Sequence, residues 1–190
     1  KLMLSVSTAN GNVTIFWIPG GMALAAVLVC GRRFWPAIFV GAFSAGLLVN
    51  DPPLAAFFIA AGNVLETLTA GFLFTRLLNG RLTLDQPHDF FSLVLLAIVS
   101  AAVSALIGPF TLLMSGYLGW ENLAGSMLHW WQADVLGIVL ATPFFLVWRH
   151  FPGHWFYGTK LIETTALILL SLLAGLVVFL NLNPIAGHVA

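Results

Sequence analysis

The sequence predicts an all-α fold, a polytopic bundle of transmembrane helices, on three observations. Hydrophobic residues make up 60% of the 190 and charged residues only 7%, too little polar surface to coat a soluble globule. The apolar residues fall in runs long enough to cross a hydrocarbon core of roughly 30 Å as helices of about 20 residues, separated by short Gly, Pro, Asn or Arg punctuation. Isolated strands cannot satisfy their backbone in lipid, which leaves helices.

Taken in order, complete spans are expected at 13–30, 35–50, 54–76, 90–116, 121–148 and 160–181. The first follows "NGNVT" and ends at Arg32 and Arg33; "NDPP" separates the second from the third. Arg76 and Arg81 close the third, "GYLGWEN" divides the fourth from the fifth, and Arg149 and Lys160 bracket the next connection. Pro19 and Pro109 are expected to bend their helices and free carbonyls for neighbouring polar groups. The run "LMLSVSTA" at 2–9 is too short to span and has the charge pattern of no signal peptide. With no initiator Met, the chain reads as a fragment of a longer protein: one partial span at the start, six complete spans, and another after Ala190. That makes about eight in the parent.

Orientation follows from the basic residues. Arg32, Arg33, Arg76, Arg81, Arg149 and Lys160 all fall in alternate connections, which the positive-inside bias makes cytoplasmic. The remaining connections carry no Lys or Arg and face outward. Both termini of the complete domain are then cytoplasmic.

Several function classes are excluded. The formal net charge is zero and no basic cluster has the density that phosphate contacts require, so nucleic acid is not an expected partner. Cys30, the single cysteine, forms no internal disulfide and reads as a small apolar residue. Neither Cys/His metal spacings, nor a P-loop, nor a Gly-x-Ser-x-Gly elbow occurs. No metal, no cofactor and no catalytic residue is expected, and an intramembrane enzyme would lack a nucleophile.

Helix contacts are expected where small residues let backbones approach, because lipid supplies no hydrophobic drive between helices. Gly21 with Ala25, Gly41 with Ala45, Ala42 with Gly46, and the stripe Ser100, Ser104 and Gly108 have that spacing. They read as close packing of one bundle.

The polar residues inside the spans point to function. Asn63, Glu66, Thr67 and Ala70 share one helical face. Glu66 is about 18 Å along the axis from Leu54, near mid-membrane. An ionised carboxylate there costs on the order of 3 kcal/mol on insertion scales, so it must be paired, hydrated or protonated. Asp134 lies at a comparable depth and is expected to meet Glu66 in one buried polar cluster. Trp130, Trp131, Asp134, Gly137 and Ala141 share a broad side of their helix, with His129 and Gln132 on the other. Two Trp rings beside an acid make a wall able to hold a ring or a cation. The expected sensing or ligand cavity is therefore Asn63, Glu66, Trp130, Trp131 and Asp134, capped from the outer side by Trp17 and Pro19.

These landmarks resemble a known family. "FWIPGG" at 16–21, "GRRFWPAIFVGAFSAGLL" at 31–48, "AAGNVLETLTAGFLFTRLL" at 60–78 and "WWQADVLGIVLATP" at 130–143 stand in the order and spacing of the membrane-associated sensor domain of the first type, in the MASE family. The pattern is carried by Trp17, Pro19 and Gly21; Gly31, Arg32, Trp35 and Pro36; Asn63 and Glu66; and Trp131, Asp134, Gly137 and Pro143. The resemblance implies a sensory input domain in the inner membrane of a bacterium. It also implies that residues 1–190 are the transmembrane sensor part of a longer signalling enzyme, followed by a cytoplasmic histidine kinase or a cyclic-di-GMP cyclase or phosphodiesterase. The stretch itself is not expected to be an enzyme. Expected partners are the lipid bilayer, an unknown small ligand or partner membrane protein, and a second copy through the parent. The rival reading is a small-molecule transporter or transporter-like subunit, with a mid-membrane site between broken helices; the Pro-Gly interruptions at 19–21 and 108–109 permit it, while no internal repeat supports it.

Overall fold

Proline sets where the helices begin. In the computed structural model, which describes residues 17–49, 51–78, 86–148 and the separate positions 162, 165, 166, 169 and 170, helix α1 spans Ile18–Cys30, α2 Trp35–Leu48, α3 Pro53–Leu77, α4 Pro87–Met114 and α5 Leu123–Trp148. Short 3-10 turns at Arg32–Phe34 and Trp120–Asn122 lead into α2 and α5, and no strand occurs among the described residues. Pro19, Pro36, Pro53 and Pro87 all sit in the first turn of their helices, where a missing N–H loses nothing because no helical carbonyl precedes it. At α4, Gln86 and Asp89 form a reciprocal cap, with the Gln86 N–H donating to Asp89 Oδ2 at 3.2 Å.

The expected count of spans is not reached among the described residues. Among the described residues three helical stretches are long and apolar enough to cross a membrane: Pro53–Leu77, Pro87–Met114 and Trp120–Trp148. Helices α1 and α2 have 13 and 14 residues, about 20 Å each at 1.5 Å per residue, short of the hydrocarbon core. Both ends of α1 have a local cause. The Trp17 N–H donates sideways to the Ala133 carbonyl of α5 at 2.9 Å, and Gly31 turns the chain at φ 84°, a conformation that L side chains resist. Six complete spans, and the total of about eight built on them, are therefore not supported. The span expected at 160–181 lies outside the described residues except at positions 162, 165, 166, 169 and 170.

Helix α5 packs against α1 and α4, and α3 packs against α2, α4 and α1. The core joins Leu24 and Ala25 of α1, Ala70 and Phe74 of α3, Leu93, Leu96 and Ala97 of α4, and Ile138 and Leu146 of α5. Small residues decide how close the helices come. A Cβ on Gly21 would lie 2.7 Å from Ala141 Cβ, one on Gly46 2.9 Å from Ala56 Cβ, and one on Gly108 2.7 Å from the Trp130 ring. Gly137 is crossed by the Trp17 carbonyl. Gly41, by contrast, faces open space, so the spacing that suggested contact there selects only Gly46. Leu48, Leu54, Phe91, Leu106 and Leu140 are exposed, as side chains that meet lipid would be.

Residues 150–190 form a second compact unit, whose five described positions are helical and exposed.

Candidate functional site

Three helices each place one oxygen-bearing side chain near the middle of their length, and the three meet. Glu66 comes from α3, Ser104 from α4 and Asp134 from α5, with exposures of 2%, 2% and 1%. The Ser104 hydroxyl donates to Asp134 Oδ2, linking positions 30 residues apart in sequence. Glu66 meets the same hydroxyl and faces the charge of Asp134. Its Oε1 accepts no hydrogen bond, and a buried carboxylate oxygen left in that state carries its full desolvation penalty.

The helix pattern explains the convergence. Ser100 and Ser104 lie one turn apart on the buried face of α4. Ser100 spends its hydroxyl on the Leu96 carbonyl of its own helix at 2.7 Å, whereas Ser104 also reaches α5. On α3, Glu66, Thr67 and Ala70 are buried together while Asn63 is half-buried; Thr67 Oγ1 donates to the Asn63 carbonyl at 2.8 Å.

Helix α1 closes one side of the cluster. A Cβ built on Gly20 would stand 3.9 Å from Asp134 Oδ1 and 3.5 Å from Trp17 Cδ1, so the acid and the indole flank the same residue. The Trp17 backbone is held on the carbonyl of Ala133, next to Asp134. One turn further along α5 from Ile138, Thr142 Oγ1 donates to the Gly21 carbonyl at 3.1 Å. Asp134 is thereby fastened to α4 by its own side chain and to α1 by its helix neighbours.

The other residues picked out in the sequence are distributed around this centre. Pro19 is exposed. Trp130 and Trp131 are half-buried and both turn to α4: the Trp130 ring lies on Gly108, and Trp131 Nε1–H donates to the Ile98 carbonyl at 2.9 Å. His129 and Gln132 are exposed. Glu66 and Asp134 face one another beside Ser104. Ser104, the residue that joins them, was read in the sequence only as a small packing residue; its placement at mid-helix, at the depth of both acids, was the available signal.

A second feature lies at the far end of α1. A groove of about 220 Å³ is lined by Val27, Leu28, Gly31, Arg32, Gly71, Phe74 and Thr75. Beside it, the guanidinium groups of Arg32 and Arg76 stand 5.8 Å and 5.3 Å from the centre of the Phe72 ring, a cation–π arrangement. Phe74 is about 12 Å further along α3 than Glu66, so groove and acids are separate.

Among the described residues no group of three or more His, Cys, Asp or Glu is placed to hold a metal ion. The family model of MASE1 matches residues 2–186. No curated protein and no solved structure matches the chain.

Proposed function

Because the chain belongs to the MASE1 family, the membrane-associated sensor domains of the first type, we propose that it is the sensory input of a bacterial inner-membrane signalling protein and that the Glu66–Ser104–Asp134 cluster is where the stimulus acts. The membership itself makes the chain a membrane sensory domain. The observation that carries the finer reading is the meeting of two buried acids from different helices on a single hydroxyl. Such a junction has more than one way to satisfy itself, so it favours different helix packings when its occupant changes.

The route outward is α5. Asp134 bonds α4, and its neighbours in α5 accept from and donate to α1. A change at Asp134 therefore bears on the contacts of α5 with both α4 and α1, and α5 runs on to Trp148, toward the connection that carries Arg149. A stimulus with a differential affinity of a few kcal/mol for two packings suffices to move their populations substantially. In this reading Trp17, Trp130 and Trp131 hold α1, α4 and α5 in register around the acids, Asn63 extends the polar face of α3, and Pro19 marks the outer rim. The connections that carry Arg32, Arg33, Arg76 and Arg149 are cytoplasmic, and the output is a cytoplasmic kinase or cyclic-di-GMP enzyme.

The test is the output of the full-length protein, read as autophosphorylation or cyclic-di-GMP turnover, in Glu66→Gln, Asp134→Asn and Ser104→Ala variants. A shifted basal output at unchanged membrane abundance is expected. Three folded variants with wild-type output would sink the proposal. Orientation is tested separately in a Cys30→Ala background. Cysteine at Asn122 should react with an impermeant thiol reagent in spheroplasts and cysteine at Arg33 should not; the reverse pattern would invert the topology.

A further inference from the structure

We propose that the Glu66–Ser104–Asp134 cluster binds a small monovalent cation, sodium, held by carboxylate and hydroxyl oxygens at the centre of the bundle. The inference deepens the proposed function, and rests on it for its signalling consequence; the binding itself stands on the geometry.

Charge comes first. Two carboxylates converge in a place that is 1–2% exposed, and no basic side chain is there to meet them. On α3 the cation is Arg76, about 15 Å along the helix from Glu66 and stacked on Phe72. Arg32 lies past the end of α1 and is also drawn to Phe72. On α4, His88 pairs with Asp89 at the first turn, and on α5 His129 is exposed. The elements packed against Glu66 and Asp134 therefore present no positive charge at their depth among the described residues, and an uncompensated pair of acids in such surroundings is too costly to hold.

Hydrogen-bond accounting points the same way. Ser104 has one proton, and it goes to Asp134 Oδ2, with the Ala101 carbonyl as its alternative acceptor. It has none for Glu66, whose Oε1 accepts nothing from the protein. A bound sodium ion satisfies this oxygen and offsets one of the two negative charges, and a proton held on the second carboxyl offsets the other. A serine hydroxyl that donates to one carboxylate still offers lone pairs to an ion on its other side.

The ligand set selects the ion. All the donors are oxygens, and nitrogen and sulfur are absent, which favours a hard cation over a transition metal. Calcium takes six to eight oxygens and magnesium keeps several waters; two carboxylates and one hydroxyl in a buried junction offer five side-chain oxygens. Five oxygens on two carboxylates and a hydroxyl suit sodium.

Radioactive sodium binding by the purified full-length protein, at alkaline pH where protons compete least and with choline chloride holding ionic strength, tests this directly. Saturable binding is expected, displaced by unlabelled sodium but not by an equal concentration of potassium. Ser104→Ala should weaken it roughly tenfold, the loss of one ligand of ordinary strength, and Glu66→Gln should abolish it. Both substitutions are nearly isosteric, and a monodisperse elution profile checks that the variants fold. Gly125→Ala, at an exposed position with open space around it, should bind as wild type. Absence of saturable binding, equal displacement by potassium, or wild-type binding in Glu66→Gln overturns the inference. The two proposals fail separately: sodium binding with an output that ignores Glu66→Gln removes the sensory role, whereas an output altered by Glu66→Gln without sodium binding removes only the ion.

Discussion

The contact of α1 with α5 and the contact of α4 with α5 are built on the same helix, one turn apart, by opposite means. Against α1, helix α5 offers glycine: the Trp17 carbonyl crosses Gly137, and Gly21 lies against Ala141 and Thr142. Against α4 it offers Asp134, which takes a hydrogen bond from Ser104 beside the unsatisfied Glu66. The first contact is steric and has one solution, because backbone atoms leave nothing to rearrange. The second is electrostatic and has several, because protons, ions and waters all satisfy carboxylates. A domain that must hold together and still respond needs both kinds, and here the rigid one positions the adaptable one.

The steric side should break hardest. Gly137→Ala drives a Cβ into the Trp17 carbonyl and is expected to cost about 3 kcal/mol, the upper part of the usual range for overpacking, measured as a lowered unfolding midpoint in detergent. Gly125→Ala, in the same helix with nothing near its Cβ, should be neutral or stabilise by up to about 1 kcal/mol, since alanine is the better helix former. Equal effects at the two positions would remove the distinction between tight and open glycines.

Next comes the polar side. Asp134→Leu returns the Ser104 hydroxyl to the Ala101 carbonyl of its own helix and is expected to destabilise by roughly 1.5–3 kcal/mol, the net worth of a hydrogen bond to a charged group. Asp134→Asn should cost less, because an amide oxygen still accepts. If Asp134→Asn matches Asp134→Leu in the same melt, the cluster depends on charge rather than on hydrogen bonding. Smaller again is Trp131→Phe, which keeps the ring on α4 but loses the bond to the Ile98 carbonyl; about 1 kcal/mol is expected, and no loss at all would show that water replaces the indole there.

The smallest effect sharpens the comparison from outside the spans. Asp51, in the turn between α2 and α3, is held above the usual carboxylate value of 3.8 by partial burial. A folded-state value above the unfolded one means that the folded chain binds the proton more tightly. Stability should therefore fall as pH rises from 3.8 through the raised value and level off above it. Asp51→Asn should lack this slope, and the gap between the two melting profiles should be widest near neutral pH. Parallel profiles would show that Asp51 is solvated in the folded protein.

How much of this could be read in advance differs from residue to residue. The long apolar runs of α3, α4 and α5 were legible, since hydrophobicity sustained over more than 20 residues needs no partner to be recognised. The depth of Glu66 and of Asp134 was legible from helix rise alone. The length of α1 was not: its start depends on an N–H drawn to Ala133, more than a hundred residues away. Nor was the task of Ser104, because a serine in a helix with small neighbours at Ser100 and Gly108 looks the same whether it packs, bonds its own carbonyls or reaches another helix.

The sequence by itself determined that this chain lives in a membrane, that it is helical, where its acids lie along their helices, and which family's landmarks it carries. These are properties of composition, periodicity and local spacing, each computed along a single stretch of chain. Only the tertiary structure decided that Glu66 and Asp134 meet, that Ser104 joins them, and that Trp130 and Trp131 turn to α4. Each of those outcomes depends on the rotation of one helix about its axis relative to another, and in lipid, where apolar faces are nearly equivalent, that rotation is set by where backbones pass closest, at Gly21 and Gly137.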